Sequence, residues 1–350
     1  MKAIFAAAQL SHAPSRFLSM GNIVDYPEAP ERARRLLEGA RTAGALIHAA
    51  RTYPLEILAK VHKPNYLQFL AHGFEEWSAI PGSGPELMSS LRPLLRHSGA
   101  PLHVLGRAGT FQMDFACPIT ADTWKSVQAS AFTALTAADL ILRGVPVAYA
   151  LCRPPGHHAY HNRAGGFCYL NNCALVAEHL RSKFERVAIL DVDVHHGNGT
   201  QSIFYRRPDV LTVSIHADPS QFYPFYWGYE EETGAAEGDS FNLNIPVPVK
   251  AGDDAWLGAI DKAVDKIGHF APGALVVALG LDAHEADPLK GGTVTTAGFE
   301  RIAERIAKLG LPSVLVQEGG YLTDDLADNL AMFLTGFEGG LALPVGQAAE

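Results

Sequence analysis

Short apolar runs recur along this chain at 145–151, 187–190, 210–215, 274–279 and 313–316, and helix-like stretches at 174–183, 256–270 and 299–309 fall among them. Strands alternating with helices restrict a chain to the α/β class, a mainly parallel sheet with helices on both faces. Open parallel sheets bind ligands at the carboxyl ends of their strands. The residues just after each run are therefore the informative ones. The first run leads into Arg153-Pro154-Pro155-Gly156-His157-His158 and the second into Asp191-Val192-Asp193-Val194-His195-His196-Gly197-Asn198-Gly199. Ser214, Ile215 and His216 end the third, Asp282 follows the fourth, and Glu318-Gly319-Gly320-Tyr321 follows the last. Five polar sets far apart in sequence thus converge on one site.

The nine-residue run 191–199 carries the chemistry. Alternate residues of a strand share a face, which predicts that Asp191, Asp193 and His195 point the same way. Three such groups are costly to bury without a partner, and a metal ion supplies one. A catalytic metal site needs three protein ligands and an open position. Asp193 and His195 offer two, and Asp282 can add the third. Two carboxylates with one imidazole form a hard donor set, open to zinc and equally to iron(II), manganese or cobalt. His157 and His158, held in a proline- and glycine-constrained turn, are candidates for the base. Asp191 and Asn198 are available to set their tautomers. Tyr321, after a Gly-Gly pair, could donate to an oxyanion beside the metal.

The 350 residues show no repeat, linker or composition shift, so a single domain over 1–350 is expected. Residues 73–120, rich in Gly and Pro, read as a loop-rich insertion of functional character. A second irregular stretch, 218–240, mixes aromatics from Phe222 to Tyr229 with acids such as Glu230, Glu231 and Glu232. The net charge of −9 and the lack of a basic run give no nucleic-acid footprint. No run reaches membrane-spanning length, and residues 3–8 read as a first strand. Four cysteines without a CxxC pair suit a reducing, cytoplasmic setting.

With these motifs assembled, and with Gly165-Gly166-Phe167-Cys168-Tyr169-Leu170-Asn171-Asn172 and Gly280-Leu281-Asp282 beside them, the chain resembles the zinc-dependent histone deacetylase and acetylpolyamine amidohydrolase superfamily. The likeness runs from about Pro27 to the end, and the Glu-Gly-Gly-Tyr form looks most like the bacterial acetylpolyamine amidohydrolase branch. It implies the arginase/deacetylase-like three-layer fold around a central eight-stranded sheet. It also implies zinc on Asp193, His195 and Asp282, His158 as base backed by Asn198, and His157 as acid partner backed by Asp191. Tyr321 would polarise the amide carbonyl. A structural potassium would lie on Asp191, Ser214 and the backbone oxygens of Asp193, His195 and Ile215. Gly166, Phe167 and Tyr223 would line the acyl tunnel, and the insertion would narrow its mouth and form a homodimer interface. The implied reaction is hydrolysis of a small N-acyl amide, an N-acetylated amine or polyamine. Acyl-lysine proteins and small neutral N-alkyl amides, xenobiotics included, are the alternative substrates. Polyamine-preferring relatives carry an acid near the tunnel mouth, whereas Phe17 and Leu289 occupy the matching positions here.

Overall fold

The computed structural model describes residues 1–88, 91 and 101–341. Eight strands form the central sheet: β1 (Lys2–Phe5), β2 (Leu46–Ala49), β3 (Val147–Ala150), β4 (Val187–Asp191), β5 (Val210–Ala217), β6 (Asn242–Val247), β7 (Ala274–Leu279) and β8 (Ser313–Gln317). Their order is β2-β1-β3-β8-β7-β4-β5-β6, and every pairing is parallel. The expected first strand is β1, and the five sequence runs are β3, β4, β5, β7 and β8.

Both faces of the sheet are covered, which is why the inner strands are apolar throughout. In β4, Ala188 and Leu190 enter one core while Val187 and Ile189 enter the other. β7 divides likewise, with Leu275, Val277 and Leu279 opposite Ala274, Val276 and Ala278. The first core is closed by α1 (Pro30–Thr42), α7 (Asp253–Phe270), α8 (Thr296–Ala307) and α9 (Leu326–Gly340). Against the second pack α2 (Pro64–Ser78), α3 (Val104–Phe111), α4 (Thr123–Leu142) and α5 (Asn172–Leu180). The result is three layers. Helix starts follow local chemistry: Asn171 caps α5 by accepting from the Ala174 N–H at 2.9 Å, and Thr295 caps α8 through Gly298 at 3.0 Å.

The insertion is less irregular than its composition implies. Residues 73–78 continue α2, and α3 lies within it. Gly106 and Gly109 sit inside α3 because neighbours leave no room for a side chain: a Cβ would lie 2.6 Å from Pro101 and from the Leu91 carbonyl, respectively. Here glycine signals close approach rather than a loop. The rest of the expected insertion at 89–90 and 92–100 lies outside the described residues. Residues 218–240 do form a long loop, with one short 3-10 turn at Ala236–Gly238. No helix among the described residues is long and apolar enough to cross a membrane.

Candidate active site

Parallel register places the carboxyl ends of the central strands together. Asp191 at the end of β4 pairs with Ala278 of β7 and Ser214 of β5. One expectation changes here. β4 stops at Asp191, so Asp193 and His195 lie on the turn beyond it, and the Asp191 carboxylate bonds His157 instead of joining the group of Asp193, His195 and Asp282. The turn is locked by its own carboxylates. Asp191 Oδ1 accepts from the Asp193 N–H at 3.1 Å, and Asp193 Oδ1 from the His195 N–H at 2.9 Å.

Asp193, His195 and Asp282 converge, all buried, with one ligand atom from each within 4.8 Å of the others. His195 Nδ1 lies 3.0 Å from Asp193 Oδ1 and 3.1 Å from Asp282 Oδ2. Burial opposes protonation of His195, yet its bonds to Asp193 and Asp282 outweigh that and raise it to about 9. Burial, and then the Asp193 charge, push Asp282 up. Two carboxylates held this close in a dry site call for a cation. Gly319 leaves space for it: a Cβ there would lie 2.2 Å from Asp282 Oδ2 and 2.5 Å from Asp193 Oδ2. The donor set therefore fits a divalent metal. Phe222 stacks on His195 with centroids 5.1 Å apart and closes one side.

His157 and His158 are adjacent in the chain, and their rings lie 4.0 Å apart at 43°. His157 Nδ1 meets Asp191 Oδ2 at 2.9 Å, while His158 Nδ1 meets Asn198 Oδ1 at 2.6 Å. The partners separate the pair. Burial would depress His157, but the carboxylates of Asp193 and Asp191 overcome it and hold the ring well above its ordinary range. Burial depresses His158, and the neighbouring His157 and His195 push it further down. An amide oxygen can only accept, so His158 must carry its proton on Nδ1, leaving the Nε2 lone pair free. Asn198 is oriented for this because its Nδ2 donates to the Tyr160 hydroxyl at 3.2 Å.

Tyr321 is buried beside this centre, its phenol held well above its usual range by burial. Its backbone is fixed by Asp287, whose Oδ2 accepts from the Tyr321 N–H at 2.9 Å. Its ring lies under Arg32, with Cζ 4.8 Å from the centroid. Arg32 in turn donates to the carbonyls of Gly320 at 2.5 Å and Glu318 at 2.7 Å, and to Glu28 at 2.7 Å. Glu318 is driven up to about 7 by burial and accepts from the N–H groups of Gly156 and His157.

The residues expected to line an acyl tunnel also assemble. A Cβ on Gly166 would lie 2.3 Å from His158 Cδ2, so only glycine fits there. Phe167 follows at φ 68°, a strained value for a bulky residue. Its ring packs on Tyr321 at 5.8 Å, Tyr26 at 5.1 Å and Phe17 at 5.3 Å. Leu289 joins the same cluster. Tyr223 sits edge-on to His158 at 5.1 Å and donates its hydroxyl to Asp114 at 2.6 Å. Asp114 also accepts from the Gly166 N–H at 2.9 Å.

Sequence reasoning missed Asp114, Arg32, Glu28 and Asp287, and gave Glu318 no role of its own within the Glu-Gly-Gly-Tyr motif. The first four carry a weak signal, since no local pattern distinguishes them from ordinary loop or helix residues. Of the other histidines, His12 packs against Tyr26 and Tyr169, and His216 bonds Ser214 and the Gly228 carbonyl. His161 is half-buried near Lys63 and Arg163, and His284 faces Phe299 and Thr296. Neither belongs to the metal cluster.

Comparison with known proteins identifies the family. A histone deacetylase domain matches residues 26–337. An acetylpolyamine amidohydrolase of Burkholderia pseudomallei is 44% identical over 96% of this chain and 98% of its own length. Acetylpolyamine amidohydrolase 1 of Pseudomonas aeruginosa is 42% identical over 89% of this chain and 91% of its own. The crystal structure of acetylpolyamine aminohydrolase from Burkholderia pseudomallei superposes with a TM-score of 0.94 at 44% identity, covering 97% of this chain and 99% of that one. The chain belongs to the histone deacetylase family, in its acetylpolyamine amidohydrolase branch, and is a metal-dependent amidohydrolase.

Proposed function

We propose that this enzyme deacetylates small N-acetylated amines, acetylpolyamines among them, using zinc on Asp193, His195 and Asp282. The observation that carries the reading is the different partnering of two adjacent imidazoles: His157 Nδ1 meets the Asp191 carboxylate, in surroundings that raise it, whereas His158 Nδ1 meets the Asn198 amide oxygen, in a buried place beside two other imidazoles that lower it. Such environments leave one ring to take and return a proton and the other to support developing negative charge.

The metal, when bound, supplies Lewis-acid polarisation of the carbonyl and of the attacking water. His158 Nε2 takes the proton as the water oxygen bonds to the acyl carbon. Tyr321 donates to the developing oxyanion, and the His157 charge supports it. As the C–N bond breaks, the proton held on His158 passes to the nitrogen, releasing acetate and amine. Arg32 and Asp287 position Tyr321, and Asp114 positions Tyr223 and Gly166 along the tunnel. Asp191, Ser214 and the backbone oxygens of Asp193, His195 and Ile215 would hold a structural potassium. A homodimer and a cytoplasmic setting complete the proposal.

Phe17 and Leu289 favour a second substrate reading, small neutral N-alkyl amides, because both pack on the cluster of Phe167, Tyr26 and Tyr321 where a cation-binding acid is expected. Turnover of acetylputrescine, an acetyl-lysine peptide and N-methylacetamide on zinc-loaded protein tests both readings. Preference for acetylputrescine is the expected result. Preference for the neutral amide selects the second reading, and preference for the peptide overturns both.

A further inference from the structure

Asn198 has two faces. One holds His158, while the other borders a cavity of about 410 Å³ formed by the loop from Trp227 to Glu232, Tyr160 and α6 (Asn198–Phe204). None of the tunnel residues Gly166, Phe167 and Tyr223 lines it. The deacetylation chemistry makes no use of it.

The wall of this cavity has a definite chemistry. Trp227 and Tyr160 meet edge to face with centroids 5.8 Å apart, and Tyr205 adds a third aromatic ring. Between them stands the half-buried carboxylate of Glu232. Its Oε2 is fixed by Gln201 Nε2 at 2.6 Å, the Gly228 N–H at 2.9 Å and Asn244 Nδ2 at 3.3 Å. Among the described residues, Glu232 forms no ion pair and its Oε1 takes no hydrogen bond. A charge partly withdrawn from water is ordinarily paired, and a cation that also lies over aromatic faces gains further attraction. Arg206 also lines the cavity but is exposed on a flexible stem.

We infer that this cavity is a second binding site, separate from the acyl tunnel, for a small organic ammonium ion seated between Trp227, Tyr160 and Glu232. The volume accommodates an alkylammonium or a short diamine. This inference does not depend on which amide the tunnel hydrolyses.

Titration calorimetry with tetramethylammonium, and separately with acetate, tests it on the full chain. Saturable binding of one tetramethylammonium is expected, weakened about tenfold by Trp227→Ala and unchanged or tightened by Arg206→Ala. Ser202→Arg, at an exposed position on the cavity wall, places a positive charge there without disturbing the core. It should abolish binding, and it serves if Trp227→Ala fails to fold. Lack of saturable binding overturns the inference, as does binding indifferent to Ser202→Arg. Acetate binding that Arg206→Ala removes would identify an anion site and overturn it equally.

Discussion

Tyr321→Phe separates chemistry from structure at this site. The phenol makes no hydrogen bond among the described residues, so removing its oxygen strands no partner. The ring keeps its contact with Phe167 and its place beneath Arg32 at 4.8 Å, and Asp287 still holds the backbone N–H. Stability should therefore change by less than about 1 kcal/mol, the range of substitutions that break no buried partnership. Catalysis should not be spared. Loss of one oxyanion donor typically costs about 10²- to 10³-fold in kcat, or roughly 3–4 kcal/mol. KM should stay within a few fold, because the donor acts on charge that develops only in the transition state. Steady-state kinetics on acetylputrescine, with metal content and thermal unfolding on the same preparation, read all three quantities. Near-normal kcat would refute the role given to Tyr321. A large fall in melting temperature would refute the claim that its hydroxyl is free.

Phe17→Glu adds a carboxylate beside Phe167 and Tyr26, and should raise the kcat/KM preference for acetylputrescine over N-propylacetamide about tenfold; an unchanged ratio would place Phe17 outside the substrate path. Asp114→Ala removes the acceptor shared by the Tyr223 hydroxyl and the Gly166 N–H. It should lower kcat/KM about 10- to 100-fold with metal content retained, and unaltered kinetics would contradict its positioning role. His62 is buried and lowered to about 3, chiefly by burial, and its Nε2 accepts from the Asn171 N–H at 2.9 Å. A lowered histidine binds its proton more readily in the unfolded chain, so its stability contribution is complete above about pH 6.5 and is lost as pH falls toward 3. Urea unfolding across that window should show His62→Gln losing up to about 1.4 kcal/mol of stability per pH unit less than the parent; an identical slope would refute the assignment.

That Asp193, His195, Asp282, His157 and His158 meet at one site was legible in the sequence, because parallel strands deliver their carboxyl ends to one edge and the polar sets stand where strands end. The pairing of His157 with Asp191 and of His158 with Asn198 was anticipated through family resemblance, and the structure brings those pairs together. The supports of Tyr321 were not legible. Arg32 belongs to the first helix and reaches Gly320 across 288 residues, a contact that no local pattern encodes. Composition misled at α3, where Gly106 and Gly109 look like loop residues but relieve crowding against Pro101 and Leu91. Strand-face reasoning likewise misled at Asp191: alternation ends where β4 ends, and the carboxylate turns to His157 instead of the metal cluster.

In the proposed function, amide hydrolysis depends above all on a divalent cation held by Asp193, His195 and Asp282. Deacetylation of acetylputrescine measured against metal bound per chain, during re-addition of zinc to chelator-treated protein, tests this requirement most directly. Activity should rise linearly to about one equivalent, and Asp282→Ala should show neither binding at this site nor turnover. Full turnover from protein with less than about one-tenth of an equivalent of any transition metal would contradict the requirement.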